Sequence, residues 1–354
     1  MAIQVKAYAA QSPTSPLAPM DLTRRELRSN DVEIDILYCG VCHSDLHTAR
    51  ADWGEAFSIY PVVPGHEIVG RVKNIGSQVR QYKIGDLVGV GCMVDSCQSC
   101  SPCKHDLEQF CEHGMTATYS SHDRIDGTVT QGGYSTGIVV REEFVLRIPE
   151  NLDTKAVAPL LCAGITTYSP LRHWNVQPGS KVAVIGLGGL GHMAIKLAKA
   201  MGAEVSLFTR SKGKEQDAYA LGASHVIYST DEEAMSSAAN QFNLIIDTVP
   251  YTHDLNPYIP TLALDGTLVL VGLVGDTEKT ISTVPMLFGR RSISASLIGG
   301  IKETQEMLDF CGQHNVVPEI EMINMQNINE AYERMLKSDV KYRFVIDMQS
   351  LKDE

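Results

Sequence analysis

Four cysteines, Cys97, Cys100, Cys103 and Cys111, set four soft donors within one short loop-forming stretch. That is the ligand set of a closed, tetrahedral zinc site, in which the protein fills every position and the ion folds a lobe without doing chemistry. Four free thiols gathered by chance is the bland alternative. A redox reading of the Cys-x-x-Cys pairs is weaker still, because such motifs open a helix in a thioredoxin-like unit and nothing of that kind surrounds these residues. A second set of donors is dispersed: Cys42 in Gly40-Val41-Cys42-His43-Ser44-Asp45, His66 in Pro64-Gly65-His66-Glu67, and Cys162 in Leu161-Cys162-Ala163-Gly164. Two thiolates and one imidazole leave a fourth tetrahedral position for water or a substrate oxygen, which is the composition of a catalytic zinc site. Spacing alone does not prove that the three converge. Taken singly, Cys162 is more often a small core residue and His66 a satisfied turn histidine.

A third pattern concerns phosphate. The strand-like run Lys181-Val182-Ala183-Val184-Ile185 leads into Gly186-x-Gly188-Gly189-x-Gly191 and then a helical stretch. Glycines in that context let the backbone approach a pyrophosphate at the positive end of a helix. An NAD site usually carries an acid roughly 20 residues further on, for the adenosine ribose hydroxyls. Here the corresponding strand end reads Leu207-Phe208-Thr209-Arg210-Ser211-Lys212-Gly213-Lys214 and holds no acid. Thr209, Arg210, Ser211 and Lys214 offer hydroxyls and cations that could clasp a 2′-phosphate through charge-assisted hydrogen bonds, so the expectation is NADP(H) over NAD(H). The plainer reading makes these cations a solvated helix start.

These candidates need elements to hold them. Up to about residue 155 the chain has short β-branched runs with Gly, Pro and Asp punctuation, such as Asp31-Val32-Glu33-Ile34-Asp35-Ile36-Leu37, and reads as mainly β. From about residue 180, apolar strands alternate with helical patterns: 181–186, 205–209, 225–228, 244–249, 267–272 and 292–297 give six parallel-strand candidates, with helices at 190–201 and 214–221. Six such strands suit a dinucleotide fold. After about 297 the pattern returns to helix, turn and a last strand at 342–347, read as the chain going back into the first domain.

At 354 residues the chain fits two domains, and the formal net charge of -12 argues against a nucleic-acid or anionic-membrane surface. No apolar run approaches the roughly 20 residues of a membrane helix, and the opening Met1-Ala2-Ile3-Gln4-Val5-Lys6-Ala7 reads directly as strand rather than leader. Nine cysteines without such a leader suggest thiols in a reducing, cytoplasmic compartment, where clusters hold metal. Cys39, Cys92 and Cys311 default to small buried hydrophobes.

The runs Cys-Gly-Val-Cys-His-Ser-Asp-Leu-His (39–47), Val-Pro-Gly-His-Glu-Ile-Val-Gly (63–70), the four-cysteine lobe, Leu-Cys-Ala-Gly-Ile-Thr-Thr-Tyr-Ser-Pro-Leu (161–171), Gly-Leu-Gly-Gly-Leu-Gly-His (186–192) and Val-Lys-Tyr-Arg-Phe-Val-Ile-Asp (340–347) together resemble the medium-chain zinc alcohol dehydrogenases. Their closest likeness is to the branch of cinnamyl alcohol dehydrogenase-like, NADP-dependent aldehyde reductases. The resemblance implies a mainly-β GroES-like catalytic domain over 1–157 and 297–354, with its zinc lobe at 92–115, and a Rossmann domain with a doubly wound parallel sheet over 158–296 that binds NADP(H). It implies two zinc ions per chain: a catalytic one on Cys42, His66 and Cys162 with Glu67 as near neighbour, and a structural one on the four-cysteine lobe. Asp45 would hold His66 through its second ring nitrogen, as ligating imidazoles require. Ser44 would pass the substrate proton, by way of the nicotinamide ribose, to His47, although Ser44 also reads as a helix N-cap. Thr166 matches a threonine packed against the nicotinamide.

The implied reaction interconverts primary alcohols and aldehydes, with aldehyde reduction favoured. Trp53, Phe57, Tyr60 and the segment Ala117-Thr118-Tyr119 are the expected pocket lining. Plant cinnamyl alcohol dehydrogenases carry a tryptophan near the position of Ala117, and the loop before Pro64 is slightly longer here. These departures point to a broad aliphatic and aromatic range. Pairing of the edge strand at 292–297 would give a homodimer. Three rivals stand beside this reading: an NAD-dependent polyol dehydrogenase, which would sit better with an acid near Thr209; a zinc-free quinone reductase, which would lack the metal ligands; and a non-catalytic metal or redox sensor.

Overall fold

In a computed structural model, which describes residues 2–272 and 279–352, the alternating run at Asp31 becomes the strand Asp31–Gly40. Val32, Ile34 and Ile36 are buried at intervals of two, as a pleated strand requires. This strand is the hub of a seven-stranded sheet ordered Ile320–Asn324, Arg343–Asp347, Asp31–Gly40, Ile68–Ile75, Leu87–Val90, Leu146–Arg147, with Gly137–Arg141 also paired to the hub. The pairings are antiparallel except between Ile320–Asn324 and Arg343–Asp347, which run parallel. Cys39 lies opposite Ile68 in the register. The loop after Gly40 and the loop before Ile68 therefore leave the same end of the sheet, which brings Cys42 and His66 together although 23 residues separate them.

The chain divides into two compact units, Met1–Cys162 with Gly299–Glu354, and Ala163–Ile298. The first extends past the expected boundary at 157. The short turn Ala158–Leu161 is wholly buried and packs on Asp31–Gly40, Ile68–Ile75, Leu87–Val90 and Arg343–Asp347, so apolar burial ties Cys162 to the β unit. The returning segment is richer than helix, turn and strand. It holds the helix Ile301–His314, the strand Ile320–Asn324, the helix Ile328–Leu336 and the strand Arg343–Asp347. Ile320–Asn324 escaped the sequence reading because it is a sheet edge with no fully buried residue, so its hydrophobic alternation is weak.

The second unit carries six parallel strands in the order His225–Tyr228, Glu204–Thr209, Lys181–Ile185, Phe242–Asp247, Leu262–Leu270, Ser292–Ala295. It is the doubly wound sheet expected from the sequence. Val182, Val184, Val205, Leu207, Ile245 and Ile246 are fully buried, and their near-continuous apolar runs reflect a parallel sheet covered on both faces. The strand order reverses beside Lys181–Ile185, and the crevice beyond the carboxyl ends of strands at such a switch point is where dinucleotides bind. No helix among the described residues is long and apolar enough to cross a membrane.

Candidate active site and metal centres

Cys42 begins the helix His43–Ala49 from an extended backbone, and the Asp45 side chain closes back on the Cys42 N–H at 2.9 Å. That capping box is closed by Asp45, so the N-cap alternative for Ser44 does not hold: Ser44 lies inside the first turn, with Oγ 3.7 Å from Cys42 Sγ. His66 follows Gly65, whose φ of +102° is a left-handed conformation; a Cβ there would strike the Tyr134 ring at 2.7 Å and Cys39 Sγ at 2.8 Å. Cys162 follows the buried turn that packs on the sheet. Ligand atoms of Cys42, His66, Glu67 and Cys162 all lie within 4.8 Å of one another, and the two sulfurs are 4.0 Å apart.

This donor set fits zinc. Two thiols and an imidazole are ligands of the right softness, and the fully buried Glu67 leaves Oε2 without a hydrogen-bond partner beside them. Burial pushes the Glu67 carboxyl up to about 7, against the pull of the adjacent Arg343 guanidinium. Arg343 sits on the last strand, donates from Nη2 to Glu67 Oε1, and also bonds the Val41 carbonyl at 3.0 Å. Its role was missed in the sequence, where the one available signal is a lone arginine opening the apolar run Arg343-Phe344-Val345-Ile346.

The other side of the imidazole is committed as well. His66 Nδ1 lies 3.0 Å from Asp45 Oδ1 and 3.0 Å from the Tyr119 hydroxyl. Tyr119, expected to line the pocket, is only 8% exposed and turns its polar end to His66. Tyr134 donates to Asp45 Oδ2 at 3.3 Å. Burial, and after it the Asp45 charge, holds both phenols well above the usual range. Neither tyrosine contact was read from sequence.

On the same helix, His47 Nδ1 lies 2.8 Å from Asp52 Oδ2, and its ring centroid is 5.3 Å from that of the half-buried Trp53. Ser44 and His47 are three residues apart, so their side chains share a helix face. Asp52 is a further residue that sequence reasoning passed over. Cys92, half-buried, points its thiol at the Leu161 carbonyl at 3.7 Å, next to the Cys162 turn.

In the lobe, Cys97, Cys100, Cys103 and Cys111 form a second cluster with all four sulfurs within 4.8 Å. Backbone amides of Ser99 and Cys100 pull the Cys97 thiol down to about 5, while burial pushes Cys103 up to about 12. Amides aimed at sulfur stabilise the thiolate form that a metal ligand takes. The lobe is tied to the returning segment by Glu108, whose Oε2 accepts the Ile301 N–H at 3.1 Å.

In the second unit the strand Lys181–Ile185 runs into Gly186, and the helix Gly191–Ala200 starts beyond the turn. A Cβ at Gly191 would meet the Gly186 carbonyl oxygen at 2.1 Å, so close packing of turn on helix excludes any larger residue. Gly188 and Gly189 lie between, and a Cβ at Gly188 would meet nothing within 4 Å, leaving that backbone open to approach. Thr209 ends the strand Glu204–Thr209, with its Oγ1 accepting the Ser211 N–H at 3.1 Å; Arg210 and Ser211 are exposed and Lys214 closes the following turn. Glu215, the first acid after that strand in the sequence, accepts the Tyr228 hydroxyl at 2.8 Å. Thr166 is buried in the helix Ala163–His173, which packs on the helix Gly191–Ala200.

Comparison with known proteins agrees with both halves of this description. Residues 28–150 match the family described as alcohol dehydrogenase GroES-like domain, and residues 189–313 match zinc-binding dehydrogenase. The chain is 56% identical to NADP-dependent alcohol dehydrogenase C 1 of Mycolicibacterium smegmatis, covering 98% of this chain and 99% of that one. It is 54% identical to aldehyde reductase YahK of Escherichia coli, over 99% and 100%. Among solved structures, the CAD from Helicobacter pylori complexed with NADP(H) superposes with a TM-score of 0.91 at 46% identity, covering 99% of each chain.

Proposed function

The chain belongs to the zinc-binding alcohol dehydrogenase family, and on that premise we propose that it interconverts primary alcohols and aldehydes with NADP(H), over a broad aliphatic and aromatic range and with aldehyde reduction favoured. The observation that carries the proposal is the convergence of Cys42, His66, Glu67 and Cys162 on one point from three separate loops. Three ligands with a fourth position to spare make a centre open to substrate, unlike the closed four-cysteine lobe. The lack of a free acid at the end of Glu204–Thr209, beside the exposed Arg210, supports NADP(H) over NAD(H).

Zinc supplies Lewis-acid polarisation of the substrate oxygen, and NADPH the hydride. Cys42, His66 and Cys162 would hold the ion. Asp45 fixes the His66 tautomer: with Nδ1 committed to the carboxylate, Nε2 is the nitrogen left for a metal. Ser44, beside Cys42 Sγ, would exchange the substrate proton, and His47, held by Asp52 at 2.8 Å, would relay it to solvent. Arg343 donates to Glu67 Oε1, which would hold the carboxylate near the ion. Gly186, Gly188, Gly189 and Gly191 would admit the pyrophosphate, Thr209, Arg210, Ser211 and Lys214 the 2′-phosphate, and Thr166 would pack on the nicotinamide. Trp53 would line the pocket.

A homodimer through the edge strand Ser292–Ala295 is part of the same proposal. Val284, Leu287, Phe288 and Leu297 flank that edge and are 58%, 77%, 89% and 47% exposed, an apolar surface that a second copy would cover. A reducing, cytoplasmic setting is supported by nine cysteines, none of them in a disulfide. Zinc per chain, measured alongside initial rates of benzaldehyde and cinnamaldehyde reduction with NADPH and NADH, tests the central reading. Two ions and a strong NADPH preference are expected; one ion and no turnover would overturn it.

A further inference from the structure

We propose that Tyr119 and Tyr134 are positioning residues for the His66 imidazole, two buried phenols that hold the ring and its Asp45 carboxylate in a single geometry. The inference rests on the reading of Cys42, His66 and Cys162 as metal ligands.

Asp45 is fully buried, and both of its oxygens are saturated. Oδ1 accepts the Gly65 N–H at 2.9 Å and faces His66 Nδ1 at 3.0 Å; Oδ2 accepts the Cys42 N–H at 2.9 Å and the Tyr134 hydroxyl at 3.3 Å. The carboxylate thereby links both metal-ligand loops, and the Tyr134 hydroxyl donates to it from outside them. Tyr119 acts on the ring itself, with its oxygen 3.0 Å from Nδ1 and the two rings tilted by 47° at a centroid distance of 5.6 Å. Rotation of the imidazole about its own axis would break the contacts to Asp45 and Tyr119 together.

The two phenols come from opposite ends of one excursion, residues 120–133. It is bridged internally between His122 and Val129, and Arg28 clasps it through both oxygens of Asp123 at 2.9 and 3.0 Å. The ligand loop makes room for one of them, since only a glycine at position 65 clears the Tyr134 ring. Phenylalanine would fill the same volume without the cost of burying a hydroxyl. Two hydroxyls ending on one carboxylate–imidazole pair therefore point to orientation, beyond packing.

Tyr119→Phe and Tyr134→Phe keep the rings and remove the hydroxyls. Each purified protein is assayed for zinc per chain and for the rate of zinc release to an excess of chromogenic chelator. The release phase absent from a Cys162→Ala variant belongs to the open centre. That phase is expected to accelerate about tenfold in each tyrosine variant, the lower end for loss of a partner behind a metal ligand. The lobe phase stays unchanged, and in an Asp45→Asn background Tyr134→Phe adds little, because the hydroxyl acts through the carboxylate. Unchanged release in both variants, or full additivity of Tyr134→Phe with Asp45→Asn, overturns the proposal. Wild-type protein holding the lobe ion alone would instead overturn the metal reading beneath it.

Discussion

Replacing Arg343 with methionine should cost the β unit at most about 3–5 kcal/mol, the range for leaving a buried charge without its partner, and less where the Glu67 carboxyl, already pushed up to about 7, takes up a proton. Glu67 is fully buried, and Arg343 is its one ion-pair partner among the described residues; Oε2 has no hydrogen-bond partner. The substitution also strips the Val41 carbonyl of a donor at 3.0 Å, which adds about 1 kcal/mol for an unmade buried bond. Glu67→Gln should cost less, about 1–2 kcal/mol, because a neutral amide still offers the guanidinium an acceptor. The double variant should then be milder than the sum of the singles by at least 1 kcal/mol, since it removes the charge that Arg343→Met strands. Equilibrium urea unfolding at one fixed free zinc measures this, with the zinc affinity of each variant determined alongside so that the binding contribution is subtracted. The two tryptophans make a local probe possible: Trp174 belongs to the second unit, so a Trp174→Phe background leaves Trp53 to report on the first. Costs that simply add, to within about 0.5 kcal/mol, would show that the two side chains do not act as a pair and would refute the argument.

Other expectations follow from the same geometry. Arg210→Ala should lower kcat/KM for NADPH about tenfold or more while leaving NADH within about twofold, and an equal loss with both cofactors would remove Arg210 from phosphate recognition. Cys103→Ala should yield protein with one zinc fewer, a lower melting temperature and early proteolysis within 97–111; an unchanged zinc content would reject the lobe site. Asp52→Asn should reduce kcat by about tenfold, a part of the hundredfold or more that acid–base assistance supplies, with zinc content constant, and an unaltered kcat would exclude Asp52 from holding the His47 relay. For Asp123, burial opposes ionisation, but the bidentate bond from Arg28 prevails and lowers the carboxyl from 3.8 to about 2. A carboxylate depressed on folding contributes stability that is fully present above its unfolded value and is lost as pH falls from about 4 toward 2. Asp123→Asn should therefore flatten that stretch of the acid-unfolding curve, and a superimposable curve would show that the clasp on the 120–133 excursion contributes nothing.

How much of this could be read from the chain depended on sequence distance. The four-cysteine lobe was plain because its ligands fall within fifteen residues and metal geometry dictates their spacing. The six parallel strands were equally plain, because burial on both faces leaves unbroken apolar runs. Ile320–Asn324 was not, since an edge strand with no fully buried residue carries too weak an apolar pattern to announce it.

The open centre lies between these cases. Cys42, His66 and Cys162 are separated by 23 and 95 residues, and only the ordered set of family-like motifs brought them together ahead of the fold. What surrounds them carried no such mark. Tyr119 reads as an aromatic near a pocket until the register between Asp31–Gly40 and Ile68–Ile75 sets His66 beside the turn that Tyr119 faces. Arg343 reads as one cation in a strand until that strand pairs with the end of Asp31–Gly40, which puts its guanidinium on Glu67 from 276 residues away. The ligands themselves are constrained by what a metal accepts, and that chemistry survives in residue type. Their supports are constrained only by where an oxygen or nitrogen must stand, a demand that tyrosine, arginine or a backbone amide can meet from any part of the chain the fold brings near. Chemistry is therefore readable before the fold, and the groups that orient it only after.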